Sequence, residues 1–178
     1  MDFYQELFWL IDMRSFSNLW FWVALAVVWS SASHWVMGVP FDMVVRARRV
    51  GGQAEEDLET IVRVKVNRLM MIARVSGLWI MGMVSFVLTG LMLLGWVYRI
   101  EFAQAVFLLA FPMTIVGLTN LKLAQKIEHN PPKGEELRRV LSRHRLVTQM
   151  IGTLSIFVTA MWGMYQNIAI TGPWALDG

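Results

Sequence analysis

The sequence predicts an all-α integral membrane protein in which four apolar spans form one helical bundle. Of its 178 residues, 56% are hydrophobic and 16% are charged, whereas about a quarter of a typical soluble domain is charged. A chain this apolar has too little polar surface to cover a soluble core. It contains no cysteine, which excludes disulfides, thiolate metal sites and cysteine-ligated iron–sulphur clusters within the chain.

Four segments are apolar over the roughly 20 residues that a helix needs to cross a bilayer core about 30 Å thick. None of these segments contains Asp, Glu, Lys or Arg, and they cover residues 19–39, 75–98, 102–121 and 146–168. Only residues 99–101 link the second segment to the third, so these two are expected to form an antiparallel hairpin.

The N-terminal residues predict a short helix over residues 3–13 that lies in the outer membrane interface. Phe3, Leu7 and Ile11 fall on one helical face, as in other interfacial amphipathic helices. An irregular tail is the alternative interpretation. We expect residues 1–178 to form a single transmembrane domain.

The basic residues predict the orientation of this bundle. Of the 16 lysines and arginines, seven lie in the link over residues 40–74 and seven in the link over residues 122–145. Basic links remain in the cytoplasm. We therefore expect a multi-pass protein of the bacterial inner membrane with both termini in the periplasm.

Each link is expected to contain an amphipathic cytoplasmic helix that continues into the next span. Acidic residues precede basic ones in both links, which is the order that complements a helix dipole. Glu59 and Arg63 form one favourable i,i+4 pair, and Glu135 and Arg139 form another. The chain thus divides into two similar halves, for which duplication and chance likeness both stay open.

His34 is the one ionisable residue deep in a predicted span, which makes it a functional candidate by default. Ser30, Ser31 and Gly38 are expected on the same helical face, where small residues allow close helix packing. Packing is the favoured interpretation, with cofactor binding or proton relay as the alternatives. We predict no cofactor, no metal site and no catalytic set, and His34 is the only candidate cofactor ligand.

Small residues at helical spacing predict packing seams on the second and fourth spans. These residues are Gly82 and Ser85 on the second span, and Gly152, Ser155, Thr159 and Gly163 on the fourth.

The basic links predict a cytoplasmic face that binds anionic lipid head groups or docks a partner protein. The residues of this face are Arg46, Arg48, Arg49, Arg63, Lys65, Arg68, Arg138, Arg139, Arg143 and Arg145. Other membrane-protein subunits are expected partners and nucleic acid is not, while homo-oligomerisation is left open.

Two segments and the basic run that follows them carry a family resemblance. They are Asn-Leu-Trp-Phe-Trp over residues 18–22 and His-Trp-Val-Met-Gly-Val-Pro-Phe-Asp over residues 34–42. With these segments the chain resembles a family of small bacterial membrane proteins described as a component of the Suf iron–sulphur assembly complex. The resemblance implies a membrane docking role, since a chain without cysteine does not ligate a cluster in the usual way.

A weaker resemblance is to the four-helix membrane oxidases that convert protoporphyrinogen and to their copper-resistance relatives. It rests on the two basic links and on Arg68-Leu69-Met70-Met71, which leads into the second span. The resemblance implies a shared fold. The chain has Ala24 and Leu25 where that family carries a histidine, and no span contains lysine, so shared catalysis is not implied.

These observations favour a non-enzymatic accessory, scaffold or assembly subunit of a larger inner-membrane complex. The alternatives are a haem- or quinone-associated redox protein that uses His34, and a small channel or carrier.

Overall fold

The computed structural model describes Phe16 and residues 19–171, without the side chains of residues 169–171. The predicted interfacial helix over residues 3–13 lies outside these residues. About 90% of the described chain is helical, which confirms the all-α fold class. The α-helices are α1 (Leu19–His34), α2 (Phe41–Val50), α3 (Gln53–Met92), α4 (Glu101–His129) and α5 (Gly134–Thr171), and the two short strands are β1 (Trp35–Val36) and β2 (Val39–Pro40).

Three helices are long and apolar enough to cross a membrane, namely Gln53–Val97, Glu101–His129 and Gly134–Ile168. The first of these comprises α3 and a terminal π-helical turn, Leu93–Val97. The three helices support a multi-pass membrane protein. Helix α1 is apolar but has 16 residues, a length of about 24 Å, which is shorter than a bilayer core of about 30 Å.

The first predicted span is wrong at its C-terminal end, because the helix stops at His34 and not at residue 39. Strands β1 and β2 then pair antiparallel, with Trp35 opposite Pro40. The turn between them places Met37 at φ 53° and Gly38 at φ 75°, a left-handed conformation that glycine adopts at little cost. Pro40 disfavours helical geometry at Val39, so a helix that reaches residue 39, as predicted, is unfavourable.

The expectation that each link helix continues into the next span is confirmed. Helix α3 runs unbroken for 40 residues and α5 for 38 residues. The two halves nevertheless differ in their links. Helix α4 passes from its apolar segment to His129 without a break, whereas the β1–β2 hairpin and the separate helix α2 follow α1.

The principal core lies at the end of the bundle that carries both basic links, which we call the basic end. Leu58, Val62, Val66 and Met70 recur at four-residue intervals on α3 and are all buried. The hairpin, α2, α4 and α5 also contribute to this core, whereas α1 and the π-helical turn do not. The contributing buried side chains are Val36, Met37 and Val39 from the hairpin, Val44 and Ala47 from α2, Ala124 and Ile127 from α4, and Leu137 and Leu141 from α5.

Charged side chains connect the helices around this core. The Glu59 carboxylate accepts a hydrogen bond of 2.8 Å from the backbone N–H of Gly134. This bond satisfies one of the free N–H groups at the start of α5 and places a negative charge at the positive end of its dipole. Arg138 of α5 also forms an ion pair with Glu55 of α3. The first turns of α3 therefore hold the N-terminus of α5.

The apolar segments of the three long helices are packed unequally. Only 6% of the most apolar segment of α3 is buried, compared with 22% for α4 and 28% for α5. A second, smaller core is formed by Leu25 and Trp29 of α1 and Val116 of α4, with Ile151 of α5 packed against it. Helix α3 is thus anchored mainly through its half at the basic end.

We expect Leu58→Ala to lower the free energy of unfolding by about 2–5 kcal/mol, because it removes a fully buried side chain and leaves a cavity. Leu78→Ala is the matched control, since Leu78 lies on the apolar half of the same helix and is 87% exposed. This control should change stability by less than about 0.5 kcal/mol. Unfolding of both variants in mixed micelles with increasing dodecyl sulphate measures the difference. Equal losses would contradict a principal core at the basic end.

Candidate functional site

The predicted seam on α5 lies inside the chain. At Gly152 an added Cβ would lie 2.6 Å from Cε3 of Trp29, so only glycine allows the indole to pack against the helix. At Gly163 an added Cβ would lie 3.3 Å from atoms of the Phe16 side chain. The small residues of this seam therefore hold α1 and Phe16 against α5.

Two hydroxyl residues of the same seam are buried, as expected for a packing surface. Ser155 donates a hydrogen bond of 3.4 Å to the carbonyl oxygen of Leu108 on α4. Thr159 is 0% exposed and donates to the carbonyl oxygen of Ser155 within its own helix at 2.8 Å. Neither hydroxyl is thereby left unsatisfied in an apolar setting, where an unpaired polar group is costly.

The predicted seam on α3 lies on the surface of the chain. Gly82 and Ser85 are both exposed, and a Cβ added at Gly82 would meet nothing within 4 Å. Two large aromatic side chains flank it along the helix, Trp79 at 83% exposure and Phe86 at 80%. This seam and its aromatic flanks form a surface that we call the α3 face.

His34 lies at the C-terminal end of α1 and not deep in a helix. It is exposed, as are Ser30 and Ser31, and its ring lies 5.8 Å from the neighbouring Trp35 ring. The prediction that Gly38 shares its helical face is wrong, because the helix ends at His34. Gly38 instead lies in the hairpin turn, where an added Cβ would be 3.6 Å from Cδ of Lys65.

The other two histidines lie elsewhere and bond to other groups. His144 is buried, and its Nε2 lies 2.7 Å from Oδ1 of Asn120, which joins α5 to α4. Nδ1 of His129 lies 2.9 Å from the carbonyl oxygen of Gln125. Among the described residues, no group of three His, Asp or Glu side chains could hold a metal ion.

The predicted basic face separates into paired and unpaired residues. Arg138 pairs with Glu55 and Arg139 pairs with Glu135 at 2.7 Å. Arg74, which the prediction did not include, pairs with Glu128 at 3.0 Å. Exposed residues of this face without an ion pair in the described part of the chain are Arg46, Arg48, Arg49, Arg63, Arg68 and Arg143.

Two of the unpaired arginines line a groove between α1, α2 and α5. Arg46 and Arg49 of α2 lie on one side of this groove, His34 lies at the end of α1, and Arg145 comes from α5. The groove has a volume of about 420 Å³ and includes one carboxylate, Asp42. We call it the arginine groove.

Sequence reasoning did not identify Gln104, which is 4% exposed on α4. Its amide nitrogen donates to the carbonyl oxygen of Gly95 at 2.7 Å, in the π-helical turn that ends the α3 helix. Its amide oxygen accepts from Nε1 of Trp162 at 3.0 Å and from Nε2 of Gln166 at 2.5 Å. The signal in the sequence was an amide side chain within an apolar span, near the end of that span opposite Asn120. This cluster joins the π-helical turn that follows α3 to α4 and α5, at the end opposite the basic end.

The chain matches no protein-family model, no curated protein and no solved structure.

Gly152→Ala should lower the free energy of unfolding by about 1–3 kcal/mol, because the added methyl group forces the Trp29 ring to move. Gly82→Ala is the control with the same chemical change on an open surface. It should leave stability unchanged or slightly raised, since alanine is the better helix former. The measurement is again unfolding in mixed micelles. An equal loss of stability in Gly82→Ala would contradict the assignment of the α5 seam as internal and the α3 seam as exposed.

Replacing Gln104 by methionine should lower the free energy of unfolding by about 1–2 kcal/mol, because three groups in the π-helical turn and on α5 lose a hydrogen-bond partner away from water. Gln149→Met is a suitable control, since Gln149 lies on α5 and is exposed. If both variants unfold at the same micelle composition as the unmodified protein, the Gln104 cluster does not join the helices.

Proposed function

We propose that this protein is a non-enzymatic accessory or assembly subunit of a larger membrane-protein complex, and that the α3 face contacts the partner. The observation that carries the proposal is the low burial of the apolar segment of α3, at 6%. The other half of the same helix contributes four side chains at four-residue intervals to the principal core. The helix is therefore held in place while most of its apolar surface stays open.

The two seams support this proposal by their contrast. Small residues on α5 let the Trp29 side chain of α1 approach to van der Waals contact. Gly82 and Ser85 offer the same kind of surface on α3, with no other part of the described chain against Gly82. Helices in a membrane associate through such small-residue contacts and not through a hydrophobic driving force. A helix of another subunit is the occupant that this surface suits.

The orientation and the membrane are part of the proposal. With the basic end in the cytoplasm, the apolar segment over residues 19–39 is the fourth crossing, and both termini lie in the periplasm of a bacterial inner membrane. The resemblance to the Suf-associated membrane family favours a docking role, and the resemblance to four-helix membrane oxidases favours a related bundle.

Gentle extraction of the full chain from native membranes tests this function. We expect it to elute with a second membrane protein in a fixed ratio. Gly82→Leu combined with Ser85→Leu should remove at least half of that partner, because the added side chains fill the seam. Thr153→Leu, an exposed position on α5, is the control and should retain the partner.

Two results would contradict the proposal. One is elution of the unmodified protein as an isolated chain that turns over a substrate. The other is full retention of the partner by the double variant. Because the chain contains no cysteine, Ser85→Cys also gives a unique cross-linking position. A cross-link only between two copies of the chain would indicate a homo-oligomer instead.

A further inference from the structure

We propose that the arginine groove binds the phosphate head group of an anionic phospholipid, with the acyl chains along the exposed apolar surface of α1. The inference goes beyond the proposed function, since it concerns α1, α2 and α5 and not the α3 face. The walls of the arginine groove are formed by His34, Arg46, Arg49 and Arg145, with Phe41 and Asp42 at the start of α2.

The position of the groove along the bundle matches the level of lipid head groups. Helix α1 contains no charged residue before His34, so its apolar segment ends at the groove. On α5, Arg145 directly precedes the apolar segment that begins at Leu146. Two separate elements thus change from apolar to polar at the same place. Trp35 lies beside His34 and is 51% exposed, and exposed tryptophan is typical of the membrane interface.

The charge of the groove suits an anion. It contains three arginines and one carboxylate, from Asp42. Among the described residues neither Arg46 nor Arg49 forms an ion pair, whereas Arg138 and Arg139 each bind a carboxylate. Guanidinium groups bind phosphate oxygens through paired, charge-assisted hydrogen bonds. The cations of the groove are therefore available to a ligand from outside the chain.

Arg145 is already oriented at the groove. Its guanidinium carbon lies 3.9 Å from the centre of the Phe41 ring, a cation–π contact that fixes the plane of the group. Its Nε is buried without an acceptor in the described residues. A phosphate in the groove would supply acceptors to the remaining N–H groups of this side chain.

The surroundings favour a lipid over a soluble phosphate. Val23 and Val27 on α1 are 43% and 59% exposed, and Leu146 on α5 is 58% exposed. Acyl chains attached to a phosphate in the groove would cover such side chains, whereas a free phosphate would leave them open. A zwitterionic head group adds a cation that the three arginines disfavour, so an anionic lipid is preferred.

Lipid titration of the purified full chain in detergent tests the proposal, with bound lipid counted by native mass spectrometry. Phosphatidylglycerol should bind more tightly than phosphatidylcholine with the same acyl chains. Arg46→Gln combined with Arg49→Gln should weaken phosphatidylglycerol binding about tenfold or more. Arg63→Gln combined with Arg68→Gln removes the same charge from exposed positions on α3 and should change binding by less than about twofold.

Three outcomes would overturn the proposal. They are equal binding of the two lipids by the unmodified protein, equal weakening in the two double variants, and binding of soluble glycerol 3-phosphate as tight as that of the lipid. The last outcome would assign the groove to a soluble phosphate. Because the comparison of the two lipids uses the unmodified protein, equal binding would overturn the proposal even if the groove variant fails to fold.

Discussion

The row of buried side chains on the first half of α3 is the constraint on which the other helices depend. Leu58, Val62, Val66 and Met70 follow a four-residue interval, and such a row forms a continuous ridge that packs into the groove of a neighbouring helix. Side chains of α2, α4 and α5 lie against this ridge. In water this burial is driven by the hydrophobic effect, whereas apolar side chains inside a bilayer gain little from exchanging lipid for protein. A core at the basic end therefore fixes three long helices whose apolar segments pack more loosely.

Hydropathy and local charge order predicted much of this fold, because both are properties of short stretches of sequence. They predicted four apolar spans, of which three are helices long and apolar enough to cross a membrane, and the continuation of each link helix into the next span. They did not predict the end of α1 at His34, although Gly38 and Pro40 carried the signal, because an apolar strand and an apolar helix have similar composition. The spacing of small residues gave Gly82 and Gly152 the same interpretation, as members of helix-packing seams. Lipid and protein interior are equally apolar, so only the tertiary structure shows that one seam is filled and the other is open.

The candidate sites depended even more on tertiary contacts. The arginines were predicted as one basic face, yet Arg138 pairs with Glu55, 83 positions away in the chain, and this pairing is invisible in local sequence. Arg46 and Arg49 lack such a carboxylate partner in the described residues, which separates them from the paired residues. Gln104 was missed because its partners lie in a π-helical turn and on α5. Spacing along one helix does not reveal a cluster built from three helices.

The α3 face and the arginine groove are mechanically connected through the principal core. Val44 and Ala47 of α2 are buried in the same core as Leu58 and Val62 of α3, so α2 and α3 keep a fixed relative position. A head group held by Arg46 and Arg49 would fix the depth of α2 in the membrane and, through this core, the depth of α3. The seam at Gly82 would then face a partner helix at a defined level of the bilayer. Membrane helices interact through close contacts of small residues, so a shift of one helical turn would place larger side chains opposite the partner. Under the two proposals, lipid binding at the basic end would therefore favour assembly in one register.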